Sequence, residues 1–200
     1  MKLLAVIPCR QGSKRLPGKN LLRINKKTLL EYAIDAAKSV TDDIIVSTDW
    51  QQAADIAKTH KVKVKEINCD YLHKDHCKSI DVWKDVWEGQ EMSILLEPSS
   101  PLRKTQDIIR TIQLAQVFGC AFTANKIEKT FTTNYNGYVS QLFTVYKPNG
   151  VCYAMKNTHQ GDMFTQAKAY VMENESINID TQLDFNIAQL MFDFNYFNLN

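Results

Sequence analysis

The amino-acid sequence predicts an α/β fold in which a mostly parallel sheet is flanked by helices. Between residues 3 and 125, short apolar runs alternate with amphipathic segments, which is typical of strands connected by helices. After residue 126 the period changes to the apolar and polar alternation of a β-hairpin. The chain has 200 residues, of which 44% are hydrophobic, enough to bury a sizeable core. We therefore expect a single domain over residues 1–200.

Five strands are predicted in the first 125 residues. Each is a short apolar run that ends in polar or turn-forming residues. We expect these strands at 3–7, 43–49, 62–67, 92–97 and 120–125.

Four helices are predicted between these strands from their start and stop signals. Thr28 and Glu31 have the spacing of a capping box, in which each side chain bonds to the other residue's backbone N–H. Trp83 and Trp87 lie four residues apart on the third helix, a spacing more typical of core packing than of a stacking platform. The helices are expected at 29–39, at 50–60 with Asp49 as cap, at 79–88 with Gly89 as terminator, and from a Thr105 cap to Gly119.

The last third of the chain predicts a hairpin insertion at about 127–150. Asn136 and Gly137 suit a tight turn, because both central residues of such a turn need positive φ. A second turn is expected at "KPNG" (147–150). Strands at 151–156 and 167–172 follow, and the chain closes with a helix from about Thr181, capped by Asp180.

Positive charge is concentrated at the start of the chain. The first 30 residues contain eight lysines and arginines and no acidic residue, although the whole chain has a formal charge of only +2. A charge this small does not indicate a nucleic-acid coat, so it is the local positive field that needs an explanation. No apolar run approaches the roughly 20 residues that span a bilayer. We therefore expect neither nucleic acid nor membrane as a partner.

The five cysteines do not predict a disulfide framework or a metal site. Their number is odd, and no signal peptide precedes them, so we expect a reduced, cytoplasmic protein. The stretch "CDYLHKDHC" contains Cys69, His73, His76 and Cys77, but its spacing matches no common zinc pattern.

Four polar loops follow predicted strands. They are "PCRQGSKRLPGKN" (8–20), "STDW" (47–50), "EPSSPLR" (97–103) and "NIDT" (178–181). In open α/β sheets, ligands bind beyond the carboxyl ends of the strands, so these loops are expected to converge on one site. The basic first loop predicts that this site binds phosphate.

The first loop differs from the common phosphate-binding motifs. Five residues separate Gly12 from Gly18, and Asn20 stands where a Walker A motif has Ser or Thr, so neither that motif nor G-x-G-x-x-G is present. A glycine-rich turn nevertheless exposes backbone N–H groups to an anion, and Arg and Lys add charge-assisted bonds. The alternative is a basic loop that is solvated and binds no phosphate. The strand before the loop and the polar loops beside it make this interpretation less favourable.

Read as a whole, "IPCRQGSKRLPGKN" closely resembles the signature of the acylneuraminate cytidylyltransferases, the CMP-sialic acid synthetase family. The segments "IIVSTD", "ADIA", "LHKD", "LLEPSSPLR", "PNGVCYA" and "IDTQLDF" follow in the family's order and cover nearly the whole chain. The resemblance implies a Rossmann-like nucleotidyltransferase fold. It also implies a homodimer in which hairpin insertions reach toward the neighbouring subunit's site.

The resemblance implies that the first loop holds CTP, with Lys19 nearest the α-phosphate. Arg10, Lys19 and Asp180 would be catalytic. Ser79 and Asp81 would lie near cytosine and ribose, although helix capping explains these two residues equally well. The implied nucleotide contacts are Arg10, Gly12, Ser13, Lys14, Lys19, Asn20, Asn68, Ser79 and Asp81.

The resemblance places the acceptor sugar against the third loop and the strand after the hairpin. Lys147 stands where members of the family commonly have an arginine that binds the sugar carboxylate. A lysine keeps the positive charge but cannot form the two parallel hydrogen bonds of a guanidinium group. Arg103 has a second interpretation as a structural ion pair. The implied sugar contacts are Glu97, Ser100, Arg103, Lys147, Asn149 and Phe164, with Met163 beside the last.

Three positions depart from the family pattern. Asn178 replaces the first aspartate of "D-I-D-T", whose two carboxylates help to hold Mg²⁺, so Asn178 and Asp180 form the implied metal site. Asp180 also has an interpretation as a plain helix cap. Asn68 replaces an arginine that often meets the nucleotide, and Glu97 puts a negative charge where a neutral amide usually faces the sugar.

The sequence thus predicts an Mg²⁺-dependent cytidylyltransferase that joins CMP from CTP to an acidic nonulosonic sugar. Sialic, legionaminic and pseudaminic acids all suit this interpretation. One alternative is a Kdo cytidylyltransferase. Another is a nucleotide-sugar-binding relative that has lost catalysis, for which Asn68 and Asn178 would be responsible. RNA binding ranks lower, because the basic patch is local and no aromatic-rich sheet motif accompanies it.

Overall fold

The computed structural model describes residues 2–67, 78–87, 89–132, 139–159, 166–172 and 176–194. Seven strands form one sheet in the order β5-β4-β1-β6-β8-β7-β9. Their bounds are β1 Leu3–Pro8, β4 Ile44–Thr48, β5 Lys63–Glu66, β6 Met92–Leu95, β7 Cys120–Thr132, β8 Val139–Lys156 and β9 Lys168–Val171. The five strands expected before residue 126 are all present, and so are those expected at 151–156 and 167–172.

Six of these seven strands run in one direction. Strand β1 pairs in parallel with β4 and with β6. The pairing of β4 with β5 is also parallel, and so is the pairing of β7 with β9. Only β8 runs against them, and it lies between β6 and β7 as an antiparallel partner of both. The expectation of a mostly parallel sheet is confirmed.

A small hairpin precedes the first helix. Strands β2 (Arg23–Ile24) and β3 (Lys27–Thr28) are antiparallel, and the two residues between them, Asn25 and Lys26, have φ of 46° and 75°. The sequence analysis did not find this turn, because its second residue is a lysine, whereas this kind of turn usually has glycine there.

Five helices flank the sheet in the described residues. They are α1 Leu29–Lys38, α2 Gln51–Thr59, α3 Ser79–Val86, α4 Thr105–Phe118 and α5 Gln182–Asp193. The Thr28–Glu31 capping box of α1 is confirmed, with 2.6 Å from the Thr28 N–H to Glu31 Oε2 and 3.1 Å from the Glu31 N–H to Thr28 Oγ1.

Three expected caps are wrong. Residues Trp50 and Lys104 occupy the N-cap positions of α2 and α4, so neither Asp49 nor Thr105 caps its helix. Helix α5 is capped by Thr181, whose Oγ1 accepts from Asp184 N, so Asp180 is not the cap either. The chain therefore leaves the Asp49 and Asp180 carboxylates for other partners.

The hairpin expected at 127–150 corresponds to the outer parts of β7 and β8. These parts pair as antiparallel strands, from Ile127 opposite Val145 to Thr132 opposite Val139. Its turn at Asn136 and Gly137 lies outside the described residues.

The segment "KPNG" is not a chain reversal. Strand β8 continues through it, and the register shifts between Phe122 opposite Tyr153 and Ala124 opposite Pro148. Residues 149–152 thus bulge opposite Thr123, and Gly150 adopts a φ of 76° within the bulge. The Thr123 hydroxyl holds the bulge, because it lies 2.6 Å from Asn149 Oδ1 and accepts the Cys152 N–H at 2.9 Å.

Alternating residues of the central strands form a core on each face of the sheet. One cluster joins Leu3, Ala5 and Ile7 of β1 to α1, α2 and α4, whereas Leu4 and Val6 pack against α3. Trp83 of α3 is fully buried and donates to Ser93 Oγ at 2.7 Å, and Trp87 stacks on it with ring centroids 6.1 Å apart. The expected core role of the two tryptophans is confirmed.

A third apolar cluster joins the two ends of the chain. It contains Leu16 of the first loop, Ile24 of β2, Leu29 of α1, and Ile179 and Ala188 from the last loop and α5. This cluster fixes the first and last loops against one another. Of the helices in the described ranges, none has the length and apolar character needed to cross a membrane.

We expect Thr28→Ala to lower the free energy of unfolding by about 1 kcal/mol, since it removes the side-chain acceptor at the start of α1. Urea denaturation measures this change. Thr28→Ser keeps the hydroxyl oxygen and is the matched control, so equal midpoints for the two variants would contradict the role of the cap.

Candidate active site

The loops after β1, β4 and β6 leave the same edge of the sheet, because these strands are parallel neighbours. Two hydrogen bonds tie the second loop to the first. Thr48 Oγ1 donates to the Cys9 carbonyl at 2.5 Å, and Asp49 Oδ1 accepts the Gln11 N–H at 2.8 Å. Asp49 therefore shapes the basic loop instead of capping α2.

The basic loop turns sharply before Lys19. Gly18 has a φ of 66°, and a Cβ there would lie 3.7 Å from the Trp50 ring. The segment Lys19–Leu21 then forms a short 3₁₀ turn. Asn20 Nδ2 donates to the Arg10 carbonyl at 3.3 Å, which holds the end of the loop near its beginning. Together these contacts direct Lys19 toward the interior of the site.

A first cavity of about 150 Å³ opens between the basic loop, α3 and the loop after β6. It brings together seven of the sequence-predicted residues, namely Arg10, Gly12, Ser13, Lys19, Asn20, Ser79 and Glu97. Pro8, Val82, Pro98 and Ser99 complete its lining.

Two predicted nucleotide contacts lie away from this cavity. Lys14 is exposed and lines neither of the cavities described here. Asp81 Oδ2 accepts the Lys78 N–H at 2.8 Å at the start of α3, so the capping interpretation of Asp81 agrees with the structure. Asn68, Met163, Phe164 and the cysteine and histidine segment 69–77 lie outside the described residues.

The Lys19–Asp180 ion pair closes one side of the first cavity. Lys19 Nζ lies 2.9 Å from Asp180 Oδ1, and Arg15 Nη2 lies 3.1 Å from Asp180 Oδ2. The side chains of Lys19 and Asp180 are 15% and 33% exposed, whereas that of Arg15 is 68% exposed. Asp180 is thus held between two cations, one from inside the site and one from the surface.

A second cavity of about 400 Å³ lies on the far side of this ion pair. Two cationic residues, Arg15 and Lys147, line it, and Lys147 is exposed. Two buried polar atoms in its lining residues, Ser176 Oγ and Asn178 Oδ1, have no hydrogen-bond partner in the part of the chain that the structure describes. The remaining lining residues are Asn125, Pro148, Asn149, Ile177, Asp180, Thr181 and Asp184.

Asn149 lines the second cavity with an amide that is already bonded within the protein. Its Oδ1 lies 2.6 Å from Thr123 Oγ1, and its Nδ2 donates to Asn125 Oδ1 at 2.9 Å. Asn149 therefore shapes the wall of the cavity. The sequence analysis missed Arg15, Asn125 and Ser176. Of these, Asn125 could have been found, because it ends a predicted strand at the ligand-binding edge of the sheet.

Glu97 lines the first cavity and lies beside the bulge of β8. Burial raises the pKa of its carboxyl, while a hydrogen bond from Ser79 and the charges of Lys19 and Arg103 oppose that rise. A Cβ on Gly150 would lie 3.0 Å from Glu97 Oε2, so this glycine leaves room for the carboxylate. The bulge of β8 and the loop after β6 meet at this point, where Ser100 Oγ donates to the Asn149 carbonyl at 3.3 Å.

Arg103 lies beneath the loop after β6 and lines neither cavity. Its Nη2 donates to the Glu97 carbonyl, and its Nε and Nη1 are buried without a partner. Burial lowers the pKa of the guanidinium to about 10. No ion pair of Arg103 is found among the described residues, so the structural ion-pair interpretation stays a prediction without support there. Arg103 instead supports the backbone that carries Glu97.

Named relatives cover the length of the chain. The CMP-N,N'-diacetyllegionaminic acid synthase of Legionella pneumophila is 30% identical over 98% of this chain and 98% of its own length. The N-acylneuraminate cytidylyltransferase of Escherichia coli is 29% identical over 94% of this chain. The chain spans only about half of that second relative, 51% of its length.

A solved structure has the same architecture. The CMP:2-keto-3-deoxy-manno-octonic acid synthetase in complex with CTP has a TM-score of 0.73 over 98% of this chain and 100% of its own, at 17% identity. This likeness confirms the expected nucleotidyltransferase fold. The family model described as cytidylyltransferase matches residues 4–188. The chain therefore belongs to the cytidylyltransferase family, and its named relatives include acylneuraminate cytidylyltransferases.

Proposed function

We propose that this protein joins CMP from CTP to the anomeric hydroxyl of an acidic nonulosonic sugar and releases pyrophosphate. One observation carries the proposal. Two cavities lie on either side of the Lys19–Asp180 ion pair, one lined by the basic loop and the other by Arg15 and Lys147. This arrangement suits a transfer in which two anionic substrates meet at one phosphorus atom.

The first cavity supplies positive charge for the triphosphate. Arg10 and Lys19 both line it, and the glycine-containing loop between them carries backbone N–H groups. Donors that are already in place stabilise charge on the phosphoryl oxygens without a cost of reorganisation during the reaction. Lys19 is the best placed of these donors for the transferred phosphoryl group, because it stands at the boundary of the two cavities.

The second cavity suits the acidic sugar. Its volume of about 400 Å³ lies in the range of small-molecule sites. Arg15 and Lys147 would pair with the sugar carboxylate, and Ser176 Oγ, which has no hydrogen-bond partner among the described residues, would bond to a hydroxyl or amide group. The relatives named for legionaminic acid and acylneuraminate agree with an acceptor of this class.

The transfer itself is a displacement at the α-phosphorus of CTP. The oxygen of the anomeric hydroxyl bonds to this phosphorus, and the bond from the phosphorus to the oxygen bridging to the β-phosphate breaks. The hydroxyl proton passes to solvent, and pyrophosphate leaves. The protein's contribution is to align the two substrates and to stabilise the charge that spreads over the phosphoryl oxygens.

The residues present fit Mg²⁺ only together with a nucleotide. Asp180 supplies a carboxylate and Asn178 a buried, unpartnered amide oxygen. No group of three His, Cys, Asp or Glu residues that could hold a metal exists within the described ranges. Because Mg²⁺ in such sites is bound by one or two carboxylates plus substrate phosphates, the triphosphate would complete the site. When bound, Mg²⁺ would neutralise phosphate charge.

A panel of acceptors tests the proposed function. Purified protein is incubated with CTP, Mg²⁺ and sialic, legionaminic, pseudaminic or Kdo acid, and pyrophosphate release is measured, with ATP, GTP and UTP as nucleotide controls. We expect release with CTP and a nonulosonic acid. Release with Kdo alone would favour the alternative acceptor. Binding of CTP without release for any acid would favour a relative that has lost catalysis.

We expect Lys19→Ala to lower kcat by about 10²–10³ while the fold is kept, since one preorganised donor to the reacting phosphate is lost. Pyrophosphate release measures kcat, and circular dichroism checks the fold. Lys27→Ala is the matched control, because Lys27 forms an exposed ion pair with Asp35 at 2.7 Å on the surface. A folded Lys19→Ala enzyme with the kcat of the control would contradict the role of Lys19.

We expect Lys147→Ala to raise KM for the acidic acceptor at least about tenfold, with a much smaller change in KM for CTP, because a charge-assisted bond to a carboxylate contributes about 1.5–3 kcal/mol. Steady-state kinetics with each substrate varied in turn measures both constants. Lys156→Ala, at the far end of the same strand, is the control. Equal effects on both KM values would remove Lys147 from the acceptor subsite.

A further inference from the structure

Asn125 and Lys147 are paired on neighbouring strands in the wall of the second cavity. Both residues line this cavity, and they are direct partners in the antiparallel pairing of β7 with β8. Side chains of directly paired residues point to the same face of a sheet, with their Cβ atoms about 4.5–5.5 Å apart. An amide group and an ammonium group are therefore neighbours in one wall.

A backbone N–H fixes the direction of the Asn149 amide. The Val151 N–H lies 3.3 Å from Asn149 Oδ1, and an N–H can only donate, so the atom that faces it has to be the oxygen. Thr123 Oγ1 accepts the Cys152 N–H at 2.9 Å, and its own proton points to Asn149 Oδ1 at 2.6 Å. The nitrogen of the Asn149 amide is therefore directed the other way, toward Asn125.

The Asn149 amide in turn fixes the direction of the Asn125 amide. Asn149 Nδ2 donates to Asn125 Oδ1 at 2.9 Å, which leaves Asn125 Nδ2 on the opposite side of the group. Within the described ranges, no residue accepts a hydrogen bond from Asn125 Nδ2. Because Asn125 lines the second cavity, these N–H bonds are available to a ligand there. This point of the wall thus presents a donor and not an acceptor.

Lys147 supplies positive charge next to this donor. The other cationic residue of the cavity, Arg15, is already paired with Asp180 at 3.1 Å. The Asp184 carboxylate in the lining accepts the N–H and the hydroxyl of Thr181, each at 2.8 Å. Across the part of the chain that the structure describes, Lys147 forms no ion pair. An anion that enters the cavity would therefore meet an exposed ammonium beside an amide donor.

We propose that Asn125 and Lys147 together hold the carboxylate of the acidic acceptor, one oxygen on Asn125 Nδ2 and the other on Lys147 Nζ. The inference rests on the proposed function and adds Asn125 to the acceptor site. Arg15, already paired with Asp180, would contribute only its charge. A lysine alone binds a carboxylate as a point charge, without fixing its orientation. The amide supplies the second, directed bond.

Orienting the carboxylate also orients the attacking group. In a nonulosonic acid the carboxylate and the anomeric hydroxyl are attached to the same carbon atom. Two bonds to the carboxylate therefore restrict where the hydroxyl oxygen lies relative to the α-phosphorus of CTP. Such alignment is a main source of rate enhancement in a transfer between two bound substrates. The Asn125 amide thus contributes to binding of the acid and to its alignment.

Two substitutions of Asn125 test the proposal. Asn125→Leu removes the donor, whereas Asn125→Asp keeps an oxygen for Asn149 and turns a carboxylate toward the cavity. The probes are the nonulosonic acid that supports pyrophosphate release and the carboxamide of the same sugar, used as an inhibitor. We expect Asn125→Leu to raise KM for the acid about tenfold and to change KM for CTP less than about twofold, since a charge-assisted bond is lost. We expect Asn125→Asp to bind the carboxamide more tightly than the acid.

A double variant shows whether both residues hold the same group. If Asn125 and Lys147 bind one carboxylate, the loss of affinity in Asn125→Leu with Lys147→Ala falls short of the product of the two single losses by at least about threefold. Asn157→Leu, at an exposed asparagine just beyond β8, is the matched control and should leave both KM values unchanged. Circular dichroism checks the fold of every variant.

The outcomes separate this inference from the proposed function. An Asn125→Leu enzyme with the control's KM for the acid overturns the inference and leaves the proposed function standing. The same holds for an Asn125→Asp enzyme that still prefers the acid to the carboxamide, and for a double variant whose loss equals the product. A larger effect on KM for CTP than on KM for the acid also overturns it. A wild-type chain that neither binds nor turns over any of the acids overturns both.

Discussion

The ion pair between Lys19 and Asp180 joins the first loop of the chain to the last, across 161 positions of sequence. An exposed ion pair contributes little to stability, and this one is partly exposed, so its importance is geometric. The apolar contacts of Leu16 with Ile179 and Ala188 hold the two loops in place beneath it. Because the pair stands between the two cavities, the position of Lys19 determines where the first cavity ends and the second begins.

The bulge of β8 is the second element on which the site depends. An uninterrupted antiparallel strand would carry a side chain where Gly150 leaves space for Glu97. Thr123 and Asn149 stabilise the bulge by hydrogen bonds that use the whole Asn149 amide. The polar residues near the site therefore fall into two groups, those that shape its walls and those that leave atoms open toward a ligand.

The strands, the loops at their ends and the concentration of positive charge in the first loop could be predicted from the sequence, because each depends on local periodicity and composition. The caps of α2, α4 and α5 could not, since a one-residue difference in where a helix begins decides, for example, whether Asp180 caps α5 or pairs with Lys19. The "KPNG" segment has the composition of a turn, but pairing with β7 keeps it in the sheet. The close approach of Glu97 to Gly150 depends on that bulge, so no local pattern could reveal it.

The position of β8 in the middle of the sheet has a consequence for how the protein is made. The parallel strands β5, β4, β1 and β6 all precede residue 96, whereas β8 and the "NIDT" loop are synthesised much later. Contacts of such large sequence separation form slowly, because loop closure has to precede them. The basic loop thus emerges from the ribosome long before its counter-charge at Asp180. Assembly of the candidate active site therefore waits for synthesis of the "NIDT" loop, and a partly made protein has the basic loop without most of the residues that line the second cavity.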